Sequence, residues 1–163
     1  MRSRRRQLTL FISDKSEIEK VRIQFNPEQY KLIDAHVTLC REDEIENWDA
    51  ILNNIKSIHL NQAIAISFTS PITFDNGKGV LLPTDDSFEY NNLRKLVLGV
   101  DAPRNHQAHI TLMHPRNSMC TPEIFKQIQQ YQFPEQLFFD SIHLIEQENE
   151  GKWQVLAKFE LLN

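Results

Sequence analysis

Two short segments, Ala35-His36-Val37-Thr38-Leu39 and Ala108-His109-Ile110-Thr111-Leu112, differ by a single exchange of Val for Ile. In each, an imidazole and a hydroxyl stand two residues apart. On an extended strand both project from one face, while Val37 and Leu39, or Ile110 and Leu112, project from the other. With six His and seven Thr in 163 residues, random order gives roughly a quarter of one His-x-Thr per chain. Two copies with matching flanks point to a paired site. Two imidazoles in one site make an acid–base pair, one accepting a proton while the other donates. Their titrations are coupled, so the working pKa values belong to the pair. The Thr38 and Thr111 hydroxyls add hydrogen-bond donors on the same face. Donors around a central point suit an oxyanion with several equivalent oxygens, above all a phosphate. Acid, base and donors are what phosphodiester cleavage needs when no metal takes part.

These residues need strands, and the flanking pattern supplies them. Gln7 to Ile12 reads as an opening strand. Asp14 or Ser16 caps a helix to about Phe25, and Asn26-Pro27 breaks it. The first motif strand runs Ala35 to Cys40. A helix from about Glu44 to Ile58 carries Ile45, Trp48, Ile51, Leu52 and Ile55 on one face. Residues 61–74 are β-rich, with a bend at Pro71. Residues 75–79 form a turn into a short strand, Val80 to Leu82. Asp85, Asp86 or Ser87 caps a helix to about Leu98, and the second motif strand runs Ala108 to Met113. Thr121-Pro122-Glu123 opens a helix to about Tyr131. Leu137 to Glu146 and Lys152 to Leu162 make a terminal hairpin. Overlaying the motifs at an offset of 73 residues aligns strand with strand and helix with helix. The expectation is one domain over 1–163 with an internal repeat of about 7–74 and 80–162. Its two β-α-β-α-β halves would be related by a pseudo-twofold axis that brings the motif strands face to face.

Composition narrows the class. The chain is 40% hydrophobic and 25% charged, ordinary for a globular protein of one domain. A net charge of −4 excludes a nonspecific polyanion binder, so contact with nucleic acid must be local. Cys40 and Cys120 are too few for a disulfide framework and read as small apolar fillers, reduced in a cytoplasmic protein. The basic start, Arg2 and Arg4 to Arg6, reads first as a solvated, frayed terminus and second as a contact for RNA phosphates. The apolar run after it is too short for a signal core or a membrane span.

Two well-separated His-x-Thr-hydrophobic motifs, each on a strand after a helix, resemble the two-histidine phosphoesterase superfamily. Within it, the chain is most similar to the bacterial 2′-5′ RNA ligase-like branch, over nearly its whole length. The resemblance implies a bilobal α+β fold with antiparallel-rich sheets around a central cleft. It implies action on 2′,3′-cyclic phosphates or 2′-5′ linkages of RNA or nucleotides, with no metal or other cofactor. Carried over residue by residue, His36 and His109 are the acid–base pair and Thr38 and Thr111 bind phosphate. Water would attack phosphorus and the ribose 3′ oxygen would leave, giving a 2′-phosphate. The resemblance favours His36 as acid and His109 as base, although the near-symmetry of the motifs gives no physical reason for that order. Ligation is the same chemistry reversed, with a 5′ hydroxyl in place of water.

Beyond the motifs the copies diverge, to Arg41-Glu42-Asp43 after the first and His114-Pro115-Arg116 after the second. Arg41 and Arg116 are candidate phosphate ligands. His114 reads as a loop residue, Phe68 and Phe74 as core, and Lys78 as an exposed turn residue. Rival readings are a metal site on His106, His109 and His114, which lacks a zinc-like spacing; a non-catalytic nucleotide- or RNA-binding module with the same pocket; and two merely buried histidines. A monomer is the default expectation.

Overall fold

The computed structural model describes residues 3–86 and 88–163. The first half comprises β1 (Arg4–Phe11), α1 (Ser16–Phe25), α2 (Pro27–Leu32), β2 (His36–Cys40), a 3₁₀ turn (Glu42–Glu44), α3 (Trp48–Lys56), β3 (Ile64–Phe68) and β4 (Ile72–Phe74). The second comprises β5 (Gly79–Asp86), α4 (Phe88–Leu98), β6 (His109–Met113), α5 (Pro122–Ile128), β7 (Gln136–Phe139), β8 (Ser141–Glu148) and β9 (Gln154–Glu160). The strands form one sheet in the order β7-β3-β5-β6-β2-β1-β8-β9, with β4 added to β5. Each named strand pairs antiparallel with its neighbours. This is the α+β class expected from the sequence.

The motif strands lie at the centre of that order because their backs are wholly apolar. Val37 and Leu39 are fully buried, as are Ile110 and Leu112 within 1%. Burying such a side chain contributes about 1.5–3 kcal/mol. A slip of one residue would turn these side chains to the wet face and the histidines into the core, so the burial pins the register. The helices cross-link the halves. α1, with Ile18 and Val21 inward, packs on β6, whereas α4, with Tyr90, Leu93 and Val97 inward, packs on β2 and β3.

Several expectations need correction. The motif strands are edge-to-edge neighbours, paired at Val37 and Ile110, and do not face one another across a gap. Arg4, Arg5 and Arg6 belong to β1 and are not frayed; β8 sets Glu148, Gln147 and Glu146 opposite them, and Arg6 Nε bonds Glu146 at 2.6 Å. Arg2 and the Ser87 cap lie outside the described residues. α1 starts after Lys15, without a side-chain cap from Asp14 or Ser16. α3 begins at Trp48 rather than Glu44, because the Glu44 carboxylate reaches back to the Arg41 amide and closes the 3₁₀ turn. The strand expected over 137–146 breaks at Asp140: β7 pairs with β3, while β8 pairs with β1 and β9.

Candidate active site

Antiparallel pairing of Val37 with Ile110 sets Thr38 across from His109 and His36 across from Thr111 when the register is continued. The four polar side chains thus flank that pair, with the two imidazoles on one diagonal. All four are half-buried and line one cleft of about 730 Å³. Arg41 and Arg116 line it too, so the structure brings all six candidate residues to one place.

Both rings are held the same way. His36 Nδ1 lies 2.8 Å from the Asp34 carbonyl oxygen and His109 Nδ1 lies 3.1 Å from that of Gln107. A carbonyl only accepts, so Nδ1 carries the proton in each ring and Nε2 is left for chemistry. The segments bearing those carbonyls are themselves clamped. Buried Arg22 pairs with Glu19 and donates to the Ile33 carbonyl at 2.6 Å, while Glu19 accepts from the Ala35 amide at 3.2 Å. On the other side, buried Arg94 donates to the Leu39 carbonyl (2.6 Å) and the Arg104 carbonyl (2.9 Å) and pairs with Glu44. Gln107 Nε2 is bonded to the Thr84 carbonyl at 3.1 Å.

The surroundings bias the first imidazole. Burial pulls His36 down to about 4; the bond to the Asp34 carbonyl opposes it, and Arg22 and then His109 add smaller downward pulls. His36 is therefore neutral at pH 7. Thr38 is positioned by Gln7, whose amide donates to Thr9 Oγ1 (2.9 Å) and Thr38 Oγ1 (3.4 Å).

The cleft also holds groups that the sequence reading had not assigned to the paired site. His106 lines it with its ring 6.1 Å from that of His109. The Tyr90 hydroxyl gives its proton to the Thr38 carbonyl at 2.7 Å and accepts from His106 Nδ1–H at 2.6 Å, so His106 is tied to the first motif strand. Burial and Arg41 draw His106 down to about 4. His114, read as a loop residue, lines the cleft beside Arg116 and is also drawn to about 4 by burial and by Arg116. Arg5, Arg6, Gln7, Arg22 and Trp153 complete the basic part of the wall. Alternation along Arg5-x-Gln7-x-Thr9 was the available signal, hidden by starting the first strand at Gln7. Glu42, Asp43 and Glu46 border the cleft next to Arg41. Among the described residues no three His, Cys, Asp or Glu side chains converge to hold a metal ion, so His106, His109 and His114 do not form the rival ligand set. Cys40 is buried and its thiol is pushed up to about 12 by that burial, which makes it a poor nucleophile.

Residues 11–151 match the 2′-5′ RNA ligase superfamily. The chain belongs to that superfamily. Among curated proteins none matches it in sequence. Similar solved structures include Escherichia coli LigT complexed with phosphate, at 14% identity and TM-score 0.66, covering 98% of both chains. LigT complexed with 3′-AMP aligns at 15% identity and TM-score 0.65, covering 98% of this chain and 99% of that one. TT0787 of Thermus thermophilus aligns at 15% identity and TM-score 0.60, covering 96% and 97%. At these identities the solved structures establish the fold. Membership of the 2′-5′ RNA ligase superfamily establishes the broader expectation from the paired motifs, a phosphoesterase or ligase of this type. Among the described residues of this superfamily member no helix is long and apolar enough to cross a membrane.

Proposed function

We propose that the chain is a metal-independent phosphodiesterase acting on 2′,3′-cyclic phosphates or 2′-5′ linkages of RNA or nucleotides, with His36 and His109 as its acid–base pair. The observation that carries this reading is the matched pair of imidazoles, each fixed through Nδ1 to a backbone carbonyl and each beside a motif threonine, on one cleft. Crystallised LigT complexes with phosphate, 3′-AMP, ATP and NADP+ lend support by analogy of fold.

In this reading the cyclic phosphate sits between the two motif strands, among His36, Thr38, His109 and Thr111. The Thr38 and Thr111 hydroxyls donate to its non-bridging oxygens, and Arg116 and Arg41 balance its charge. A water oxygen attacks phosphorus as one Nε2 takes its proton. The P–O bond to the ribose 3′ oxygen breaks as the other Nε2–H protonates that oxygen, leaving a 2′-phosphate and a 3′ hydroxyl. The low pKa of His36 favours it as the acceptor, with His109 as donor. That reverses the order implied by the family resemblance. With a 5′ hydroxyl in place of water as the nucleophile, the same forward steps form a 2′-5′ linkage; run backward, the 3′ hydroxyl attacks phosphorus, the 5′ oxygen leaves with the proton, and the linkage is cleaved.

The test is product mapping. Purified protein should convert a 2′,3′-cyclic nucleotide to the 2′-phosphate, with the rate unchanged by excess chelator. Binding without product would instead identify a non-catalytic nucleotide-binding module.

A further inference from the structure

A second cavity, of about 610 Å³, adjoins the cleft, and the two share Arg5 and Arg116 in their walls. In a chain with 22 acidic and 18 basic residues, arginines generally find carboxylates. Arg6, Arg22, Arg94 and Arg104 do so here. Arg5 and Arg116 have no ion-pair partner among the described residues and are held by neutral groups instead. Arg5 lies over the Trp153 ring, 5.1 Å from its centroid, and bonds the Gln147 side-chain oxygen through Nε at 3.1 Å. Arg116 rests against the His114 ring, its Nε 3.3 Å from Nδ1. Burial and the charge of Arg5 together hold Arg116 below its ordinary range, so the two guanidinium groups repel one another. Glu150, exposed on the β8–β9 turn, is the one carboxylate among the described residues on the wall of the second cavity and pulls Arg116 the other way. Two fixed, mutually repelling guanidinium groups are a prepared site for an anion, which would relieve the repulsion and take bidentate hydrogen bonds.

We propose that the second cavity is an anion subsite, built on Arg5 and Arg116, that takes a second phosphate of the ligand whose first phosphate lies between the motif strands. The preferred ligand therefore carries two phosphates, and a nucleoside bearing only one leaves the subsite empty. This rests on the placement of the first phosphate proposed above. The second phosphate is either a 5′-terminal group or the internal phosphodiester of a longer chain.

Calorimetric titration separates these. Adenosine 3′,5′-bisphosphate and a dinucleotide 3′-phosphate are each compared with adenosine 3′-phosphate at low salt. One or both should bind at least about tenfold tighter than the monophosphate, which corresponds to about 1.4 kcal/mol. The advantage should shrink as salt rises. Arg5→Gln should bring the ratio towards one, Arg5→Lys should keep part of it, and Glu150→Gln should enlarge it. Thermal melts of each variant establish that it is folded. Equal affinity of all three ligands for the wild-type protein, or a ratio that Arg5→Gln leaves intact, would overturn the subsite. Parallel assays of cyclic-phosphate turnover keep the two claims apart. Loss of turnover counts against the proposed reaction, while the affinity ratio alone decides the subsite.

Discussion

At the scale of single residues, the two motif histidines share a tether but not an environment. Arg22 stands near His36, and burial there drives the ring to about 4. With His36 as proton acceptor, kcat/KM should rise with pH through about 4, because the neutral ring is the active form. The reverse assignment gives the opposite sign, a fall above pH 4. A bound phosphate monoanion favours the charged ring, so the acidic limb of kcat should lie at higher pH than that of kcat/KM. A pH–rate profile of both parameters checks this. The pairing of His36, Thr38, His109 and Thr111 was legible in the sequence because strand alternation and repetition both mark it. The asymmetry was not, because Arg22 reaches His36 only through the packing of α1 beside the segment before β2.

At the scale of elements, the site depends on buried ion pairs that hold the ends of the motif strands. Arg22 with Glu19 fixes residues 33–35, and Arg94 with Glu44 fixes Leu39 and the loop at Arg104. Removing one member leaves the other charge buried without a partner, a cost of about 3–5 kcal/mol. Arg94→Ala should therefore lower the urea midpoint strongly, and Arg94→Ala with Glu44→Ala should cost less than the separate losses added. Additive losses in a double-mutant cycle would show the pair to be uncoupled. Leu39→Ala, which leaves a cavity behind the motif face, should cost about 2–5 kcal/mol. Here the sequence was read well where apolar periodicity was strong, in β2, β6 and α4. It was misread at Glu44, whose helical pattern gave way to a pull from Arg94 fifty residues away, and at Arg4 to Arg6, whose strand needs the acidic partner β8.

At the scale of the whole molecule, one cleft in an acidic protein concentrates arginines and neutral imidazoles. His36, His106 and His114 are each held to about 4, against 6.5 as the ordinary value. The unfolded chain binds protons at these positions from about pH 6.5 downward, whereas the folded protein does not until about pH 4. Unfolding then takes up as many as three protons, so stability falls as pH drops through that window and is flat above it on their account. Melting temperatures from pH 8 to pH 4 should show that decline. A phosphate ligand that raises the three pKa values should lessen it. A melting temperature constant down to pH 4 would contradict the electrostatics described. The offset repeat announced two motif strands in one site, but their neighbouring positions in a continuous sheet depend on strand pairings that no local pattern encodes.

The central claim is that His36 and His109 move protons at one phosphate. Turnover of a 2′,3′-cyclic nucleotide by wild-type protein, His36→Ala and His109→Ala, each confirmed folded, tests it most directly. Each variant should lose about 10²–10⁴-fold in kcat, the range for a single acid–base group, with the double variant losing little more than the worse single one. Near wild-type kcat in either single variant would contradict the account.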